Sequence, residues 1–266
     1  MIDIHLARQL ERAEGMANAS FVDARNTVAP HIGAEWIEIA GALAMFDGPA
    51  SPLTQTFGVG LFSPFLAREF DEVEAFFTTR GTPTSHEICT FAAHESTSLL
   101  GDRGYSPVEA SVVLVRSTSG AAATHRTGPT VRRIDEAEVS TWSRISGEGW
   151  GSESPELAVF VEGFGAVIAR TRGVTCFLAE LDGAPIAAAA LNITHGVALL
   201  AGAATVPAAR KQGAQRALLE ARLAFAVEAG IDLAMIVTQP GSASQRNAER
   251  QGFRPVYTRA KWQRGS

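Results

Sequence analysis

Cysteine is almost absent: Cys89 and Cys176 are the only two in 266 residues, far apart, each in an apolar strand-like stretch. That usage excludes a disulfide frame and reads as buried thiols in a reducing compartment, so the cytoplasm is the expected location. Long hydrophobic runs are missing too. Nothing reaches the roughly 18 consecutive apolar residues of a membrane span. The N-terminal MIDIHLARQLERAEG is charged and amphipathic and lacks an uninterrupted apolar signal core. Neither secretion nor a membrane partner is expected. There is also no Lys/Arg-rich run: 23 Lys+Arg stand against 28 Asp+Glu, for a net charge of −5 and a pI near 5.7. A broad nucleic-acid face is therefore not expected, although a local basic patch could hold an anionic ligand. Metal-ligand spacing is lacking as well. His86, Glu87, Cys89, His94 and Glu95 cluster in sequence, but the two histidines are eight apart rather than the four of a helical H-E-x-x-H pair, so no metal is expected.

What is present is an ordinary globular composition, 46% hydrophobic and 19% charged, long enough for two small domains. The softest stretch, Ser117–Pro129 (STSGAAATHRTGP), is small and polar and places a linker between domains at 1–120 and 129–266. Before it, Trp36–Phe46 and Phe57–Phe62 read as strands, Phe65–Thr79 as an amphipathic helix, Glu87–Ala92 as a strand, Glu95–Asp102 as a helix and Ala110–Arg116 as a strand. After it come a strand at Thr130–Ile134, helical segments at Glu136–Ser146 and Pro155–Arg172, and strands at Thr175–Leu181 and Pro185–Thr194 joined through Asp182-Gly183, a hairpin turn signal. Strand Val197–Thr205, helix Gly213–Ala229, strand Leu233–Thr238, helix Ser242–Arg250 and strand Pro255–Trp262 complete an α/β (α+β) order.

The two halves repeat. Gly104-Tyr105 and Gly252-Phe253 stand 252 − 104 = 148 residues apart, and at that offset Ile88 matches Ile236, Thr90 matches Thr238, Ser96 matches Ser244, and Pro107-Val108 match Pro255-Val256. The strand, helix, glycine-aromatic, strand order agrees without a gap, as two copies of one fold would.

Chemistry concentrates in Ala204 to Gly230, where an apolar strand runs through Val206-Pro207 into Arg210-Lys211-Gln212-Gly213-Ala214-Gln215 and then a long helix. A helix N-terminus leaves backbone N–H groups without intrahelical partners and carries a partial positive charge, which suits an anion. Gly213 and Ala214 let a phosphate approach that backbone, and Arg210, Lys211 and Arg216 add positive charge around it. Glu220 and Glu228 come only later.

This segment resembles the GNAT acyl-CoA transferases, whose signature Arg/Gln-x-x-Gly-x-Gly/Ala here reads Arg210-x-x-Gly213-x-Gln215, with a departure at the last position. The Asp182-Gly183 hairpin, the strand Val197–Thr205 and Gly252-Phe253 follow the same order, so the resemblance covers Thr130 to Trp262 and, more weakly, the first half. It implies two GNAT-like domains, each a mixed, mostly antiparallel sheet flanked by helices. It also implies acetyl-CoA as co-substrate: its pyrophosphate on the backbone of Lys211, Gln212, Gly213, Ala214, Gln215 and Arg216, and its thioester against Thr205 and Val206. The implied reaction is direct attack of an amine on the thioester, without a metal. Many family members place a Tyr acid where this chain has Ala248, so the proton donor is open. Ser244 and Asn247, one turn apart, could hydrogen-bond the sulfur or the pantetheine of the cofactor, and Tyr257, Ser244 or His195 could serve in catalysis. Glu148, Trp150 and Glu153 could receive a cationic amine through carboxylate and aromatic contacts.

The counterpart turn in the first half, Leu61–Phe70, has no glycine, and Glu69, Asp71, Glu72 and Glu74 stand where the helix begins or runs; carboxylates near a helix N-terminus would repel a pyrophosphate. The expectation is a degenerate first copy that binds no CoA and a second copy that acetylates a small-molecule amine, as a monomer or homodimer. Two alternatives stay open: a catalytically silent CoA-binding or scaffold protein, and an acetyltransferase acting on a protein or aminoacyl amine.

Overall fold

A computed structural model of the chain describes residues 3–119, 128–151 and 155–264. The charged, amphipathic N-terminal segment opens the longest helix among the described residues, α1 (Ile4–Val28). Asp3 caps it by accepting the Leu6 N–H at 2.9 Å, and Ala7, Leu10, Ala17, Phe21 and Ala24 form the buried stripe that a 3.6-residue period produces. The expected strand Trp36–Phe46 is instead a hairpin, β1 (Glu35–Ile39) and β2 (Ala42–Phe46), because Ala40 and Gly41 both take positive φ (48° and 84°) and reverse the chain. β3 (Gln55–Phe57) stops short of the expected Phe62, where Gly58 and Gly60 turn the chain. Then follow α2 (Ala67–Thr78), β4 (Ser85–Cys89), α3 (His94–Asp102) and β5 (Tyr105–Ser117).

The second half runs β6 (Thr130–Arg133), α4 (Val139–Trp150), α5 (Pro155–Ile168), β7 (Val174–Leu181), β8 (Ala184–Thr194), β9 (Val197–Thr205), α6 (Ala214–Glu228), β10 (Leu233–Thr238), α7 (Ala243–Arg250) and β11 (Arg254–Arg264). Asp182 and Gly183 both have positive φ, as the hairpin reading requires.

From α2 to β5 the repeat is present element by element. Adding 148 to the bounds of α2 gives 215–226, inside α6; of β4, 233–237, against β10 at 233–238; of α3, 242–250, against α7 at 243–250. Gly104 and Gly252 take φ of 80° and 85°, and the aromatic after each, Tyr105 and Phe253, is buried.

Contacts divide the chain into unit 1, Met1–Val115 with Ile236–Ser266, and unit 2, Arg116–Met235. This differs from the expected 1–120 and 129–266 in residues 116–120 and 236–266. Residues 236–266 go with unit 1 because β11 pairs antiparallel with both β4 (Arg259↔Cys89) and β5 (Arg259↔Ser111), which places it inside that unit's sheet. Ladder pairing of this kind is not visible in a linear sequence. In unit 1 the strand order is β1-β2-β3-β4-β11-β5, with β3 and β4 parallel (Thr56↔His86) and the other neighbours antiparallel. In unit 2, β9, β8, β7 and β6 are antiparallel neighbours, and β10 runs parallel to β9. Among the described residues no helix is long and apolar enough to cross a membrane.

Candidate functional site

The end of β9 and the turn into α6 form the site in unit 2. The parallel pairing of β10 with β9 covers Leu233↔Val197 to Met235↔Leu199, and β9 continues to Thr205 beyond it. Its middle is bulged against β8: the register shifts by one between Ala188 and Ala190, and Gly202 takes φ 61°. Ala201 and Gly202 are exposed although β9 lies inside the sheet. Arg222, 3% exposed on the inner face of α6, holds this bulge by donating from Nη1 to Ala190 O (3.1 Å) and Ala201 O (3.3 Å) and from Nε to Leu218 O (3.1 Å). Burial pulls its guanidinium down to about 9. Sequence reasoning missed this residue. The available signal was one Arg on an otherwise apolar helix stripe with Leu218, Leu219, Leu223 and Ala226.

Past Thr205 the chain makes a short 3-10 turn at Pro207–Ala209, and Lys211 (φ 67°) and Gly213 (φ 87°) then enter the left-handed region. Gly213 is the N-cap of α6, no side chain caps it, and the first turn has no acidic residue. A turn of this form aims its free N–H groups outward, the geometry that binds anions. A Cβ at Gly213 would meet only Pro129 Cδ, at 4.0 Å, so the approach to this backbone is open.

The side chains divide their work. Lys211 and Gln212 are exposed, and Gln212 Nε2 reaches Ala208 O at 3.5 Å. Arg216 is ion-paired one turn on with Glu220 at 2.8 Å, so part of its charge is already answered. Arg210 donates to Gly149 O at 3.1 Å, tying the turn to the end of α4. Gln215, which departs from the signature, donates to Thr205 Oγ1 at 2.9 Å. Val206 N–H donates to Ile186 O at 3.0 Å; the alternation of an antiparallel ladder therefore turns the Thr205 N–H away from β8, toward the edge of β9 where the parallel pairing has ended.

α4 reaches this strand end because of glycine. A Cβ on Gly149 would stand 2.6 Å from Ala204 Cβ and 3.0 Å from Thr205 N, so only glycine permits the approach. The residue after it, Trp150, is the last of α4 rather than a loop residue, and is 40% exposed. Glu148 is ion-paired with Arg144 on the helix surface. Glu153 lies outside the described residues, as do positions 120–127 of the expected linker.

His195 takes φ 49° in the turn that begins β9, with its Nδ1 2.9 Å from Thr194 Oγ1. The length of β9, roughly 26 Å at 3.3 Å per residue, separates it from Thr205, which removes it from the site. Ser244 and Asn247 are exposed on α7, in the part of the chain that contacts assign to unit 1, and Ser242 rather than Ser244 caps that helix. Tyr257 is buried in unit 1, and its hydroxyl donates to Glu11 Oε1 at 2.7 Å. Arg259 Nε reaches the same oxygen at 2.6 Å, and its Nη1 lies 2.5 Å from Glu14 Oε2. Burial, and then the Glu11 charge, push the Tyr257 hydroxyl far above the usual phenol range, which unsuits it to proton donation. Ala248, where the resemblance expects Tyr, is buried. A cavity of about 1160 Å³ in unit 2, lined by Arg133, Cys176, Phe177 and Phe225 among others, contains none of the expected site residues.

A strand bulged in its middle and followed by an uncapped, glycine-led helix start is the feature that carries the resemblance to the GNAT acyl-CoA transferases. Residues 134–253 match the family model "Acetyltransferase (GNAT) family". Solved structures extend the likeness to most of the chain. A GCN5-related N-acetyltransferase from Kribbella flavida superposes with TM-score 0.67 at 20% identity, over 91% of this chain and 95% of its own. A conserved protein of unknown function from Staphylococcus epidermidis gives 0.64 at 9% identity, over 88% and 94%. A tandem GNAT protein from the clavulanic acid biosynthesis pathway gives 0.57 at 11% identity, over 75% and 70%. At these identities the likeness is one of fold. No curated protein matches the chain in sequence.

Proposed function

We propose that unit 2 transfers an acetyl group from acetyl-CoA to the amine of a small molecule by direct attack. The observation that carries this reading is the exposed turn Lys211–Gly213 leading into α6, a helix start that no side chain caps and whose first turn no carboxylate neutralises. In this reading the N–H groups of Lys211 to Arg216 hold the pyrophosphate, and the end of β9 holds the thioester. The Thr205 N–H, turned away from β8, meets the oxygen on which negative charge develops as the amine adds. Binding both reactants on one strand end supplies the orientation that a bimolecular encounter lacks. Trp150 offers an aromatic face to the acceptor, with Glu148 beside it. A metal is not part of this chemistry, and a cytoplasmic monomer or homodimer fits it.

The absence of Tyr at position 248 and the engagement of Tyr257 with Glu11 favour one second reading, a CoA-binding protein without turnover. Thiol release from acetyl-CoA, followed across a panel of small amines, separates the two. Turnover with at least one amine supports transfer; CoA binding with no thiol release above background supports the silent protein.

A further inference from the structure

Thr205 ends β9 nearly buried, at 8% exposure, with its Oγ1 accepting the Gln215 Nε2–H at 2.9 Å. Among the described residues nothing accepts the proton of the Thr205 hydroxyl. An amide N–H occupying one lone pair turns the O–H away from the amide. The Thr205 N–H, for its part, points away from β8. This pairing is particular to the chain, because Gln215 stands where the signature has Gly or Ala, neither of which can reach a strand hydroxyl.

We infer that Thr205 is a catalytic residue that hydrogen-bonds the departing sulfur of the thioester, and that Gln215 is the positioning residue that aims its hydroxyl. The inference rests on the acetyl-transfer reading. As the amine lone pair forms the new C–N bond, the carbonyl π pair moves onto oxygen, where the Thr205 N–H receives it. The pair returns to carbon as the C–S bond breaks, and the C–S electrons pass to sulfur. The Thr205 hydroxyl stabilises that charge without losing its own proton. The proton that converts thiolate to thiol is the one the attacking nitrogen sheds, carried by solvent. Accepting from Gln215 strengthens the hydroxyl as a donor, since linked hydrogen bonds polarise one another.

The test compares wild type with Thr205→Val, Thr205→Ser, Gln215→Ala and the Val/Ala double variant. Each is assayed by thiol release with the amine turned over fastest, and CoA affinity is measured by calorimetry. Thr205→Val is expected to lower kcat about tenfold while the Kd for CoA stays within about twofold, the effect of one lost hydrogen bond to a charged group. Thr205→Ser keeps the hydroxyl and restores kcat. Gln215→Ala lowers kcat less than Thr205→Val, and the double variant is no slower than Thr205→Val alone, because Gln215 acts through Thr205. Replacing the thioester sulfur by selenium, a better leaving atom, shrinks the Thr205→Val defect; a structural role would leave it unchanged. A Thr205→Val enzyme with wild-type kcat overturns the inference, as does a raised KM at unchanged kcat, or a defect insensitive to selenium. If the wild type binds CoA but turns over no amine, the transfer reading falls and this inference with it; normal wild-type turnover with an unaffected Thr205→Val removes this inference alone.

Discussion

Beyond one strand the chain reads Val206-Pro207-Ala208-Ala209-Arg210-Lys211-Gln212-Gly213, and 148 residues earlier, beyond another, Gly58-Val59-Gly60-Leu61-Phe62-Ser63-Pro64-Phe65. Both lead from a strand into a helix, but they treat the helix N-terminus in opposite ways. In unit 2 the cap is an exposed Gly213 with open space around it. In unit 1 the residue matching Gly213 is Phe65, which is fully buried and packs edge-on against Phe70 with ring centroids 4.9 Å apart. Glu69 then folds back to accept the Leu66 N–H at 2.9 Å, so a carboxylate of the chain occupies the place an anion would take. Unit 1 fills the start of its helix with its own side chains, and unit 2 leaves the start of its helix open.

The interiors differ in the same sense. Unit 1 buries Glu11 and Arg259, with Glu14 and Glu87 close by, at the face between α1, β4 and β11. Burial raises the carboxyls of Glu11 and Glu87 above their ordinary range. Unit 2 instead places Gly149 against β9, which leaves backbone rather than side chains at the strand end. A buried ion cluster of this kind is built to hold elements together: it ties the first helix to the last strand.

The contrast can be broken at its strongest point by Gly213→Glu, which puts a strained side chain and a negative charge into the open turn. CoA affinity is expected to fall by about two orders of magnitude or more in calorimetry, with the melting transition little changed. Removing the carboxylate of the other copy, as in Glu69→Gln, is expected to create no second CoA site, because Phe65 still fills it. In unit 1 the largest effect falls on stability. Arg259→Met leaves Glu11 and Glu14 without their cation and is expected to cost about 3–5 kcal/mol in urea unfolding. Arg222→Leu in unit 2 leaves the Ala190 and Ala201 carbonyls unpaired and is expected to cost about 1–3 kcal/mol, with weakened CoA binding as the bulge relaxes.

The smallest effect concerns pH. His86 is fully buried between the rings of Phe70 and Tyr105, and burial lowers its pKa from 6.5 to about 3. The unfolded chain takes up a proton below 6.5 that the folded chain refuses, so stability contributed by His86 is complete above pH 6.5 and drains away as pH falls toward 3. Glu11 and Glu87 act with the opposite sign, since their raised pKa values favour the folded state at low pH. Comparing urea midpoints of wild type and His86→Phe between pH 4 and 7 isolates the histidine: the variant is expected to lose less stability on acidification.

Local signals carried much of this architecture. Strands Val197–Thr205 and Leu233–Thr238 end where their apolar runs end, and Gly213 marks the start of α6. The hairpin at Ala40-Gly41 was hidden because the residues on both sides are apolar and the turn carries one glycine only. α1 was missed because its buried face is built largely of alanine, which gives periodicity little contrast. The home of β11 could not be read at all: Pro255–Trp262 is visibly a strand, but which neighbours it joins depends on ladder pairing. That is also why Tyr257 looked available for catalysis. Its partner, Glu11, lies 246 residues away in sequence. Arg210 and Gln215 were recognised for their place in the motif, while their contacts with Gly149 and Thr205 needed the fold.

The central claim is that one copy of the fold keeps an open anion site and the other has closed it. Calorimetric titration of the full chain with acetyl-CoA tests this most directly. One molecule bound per chain in the wild type, and none in Gly213→Glu, is the predicted result. Two molecules per chain, or one that survives Gly213→Glu, would contradict it.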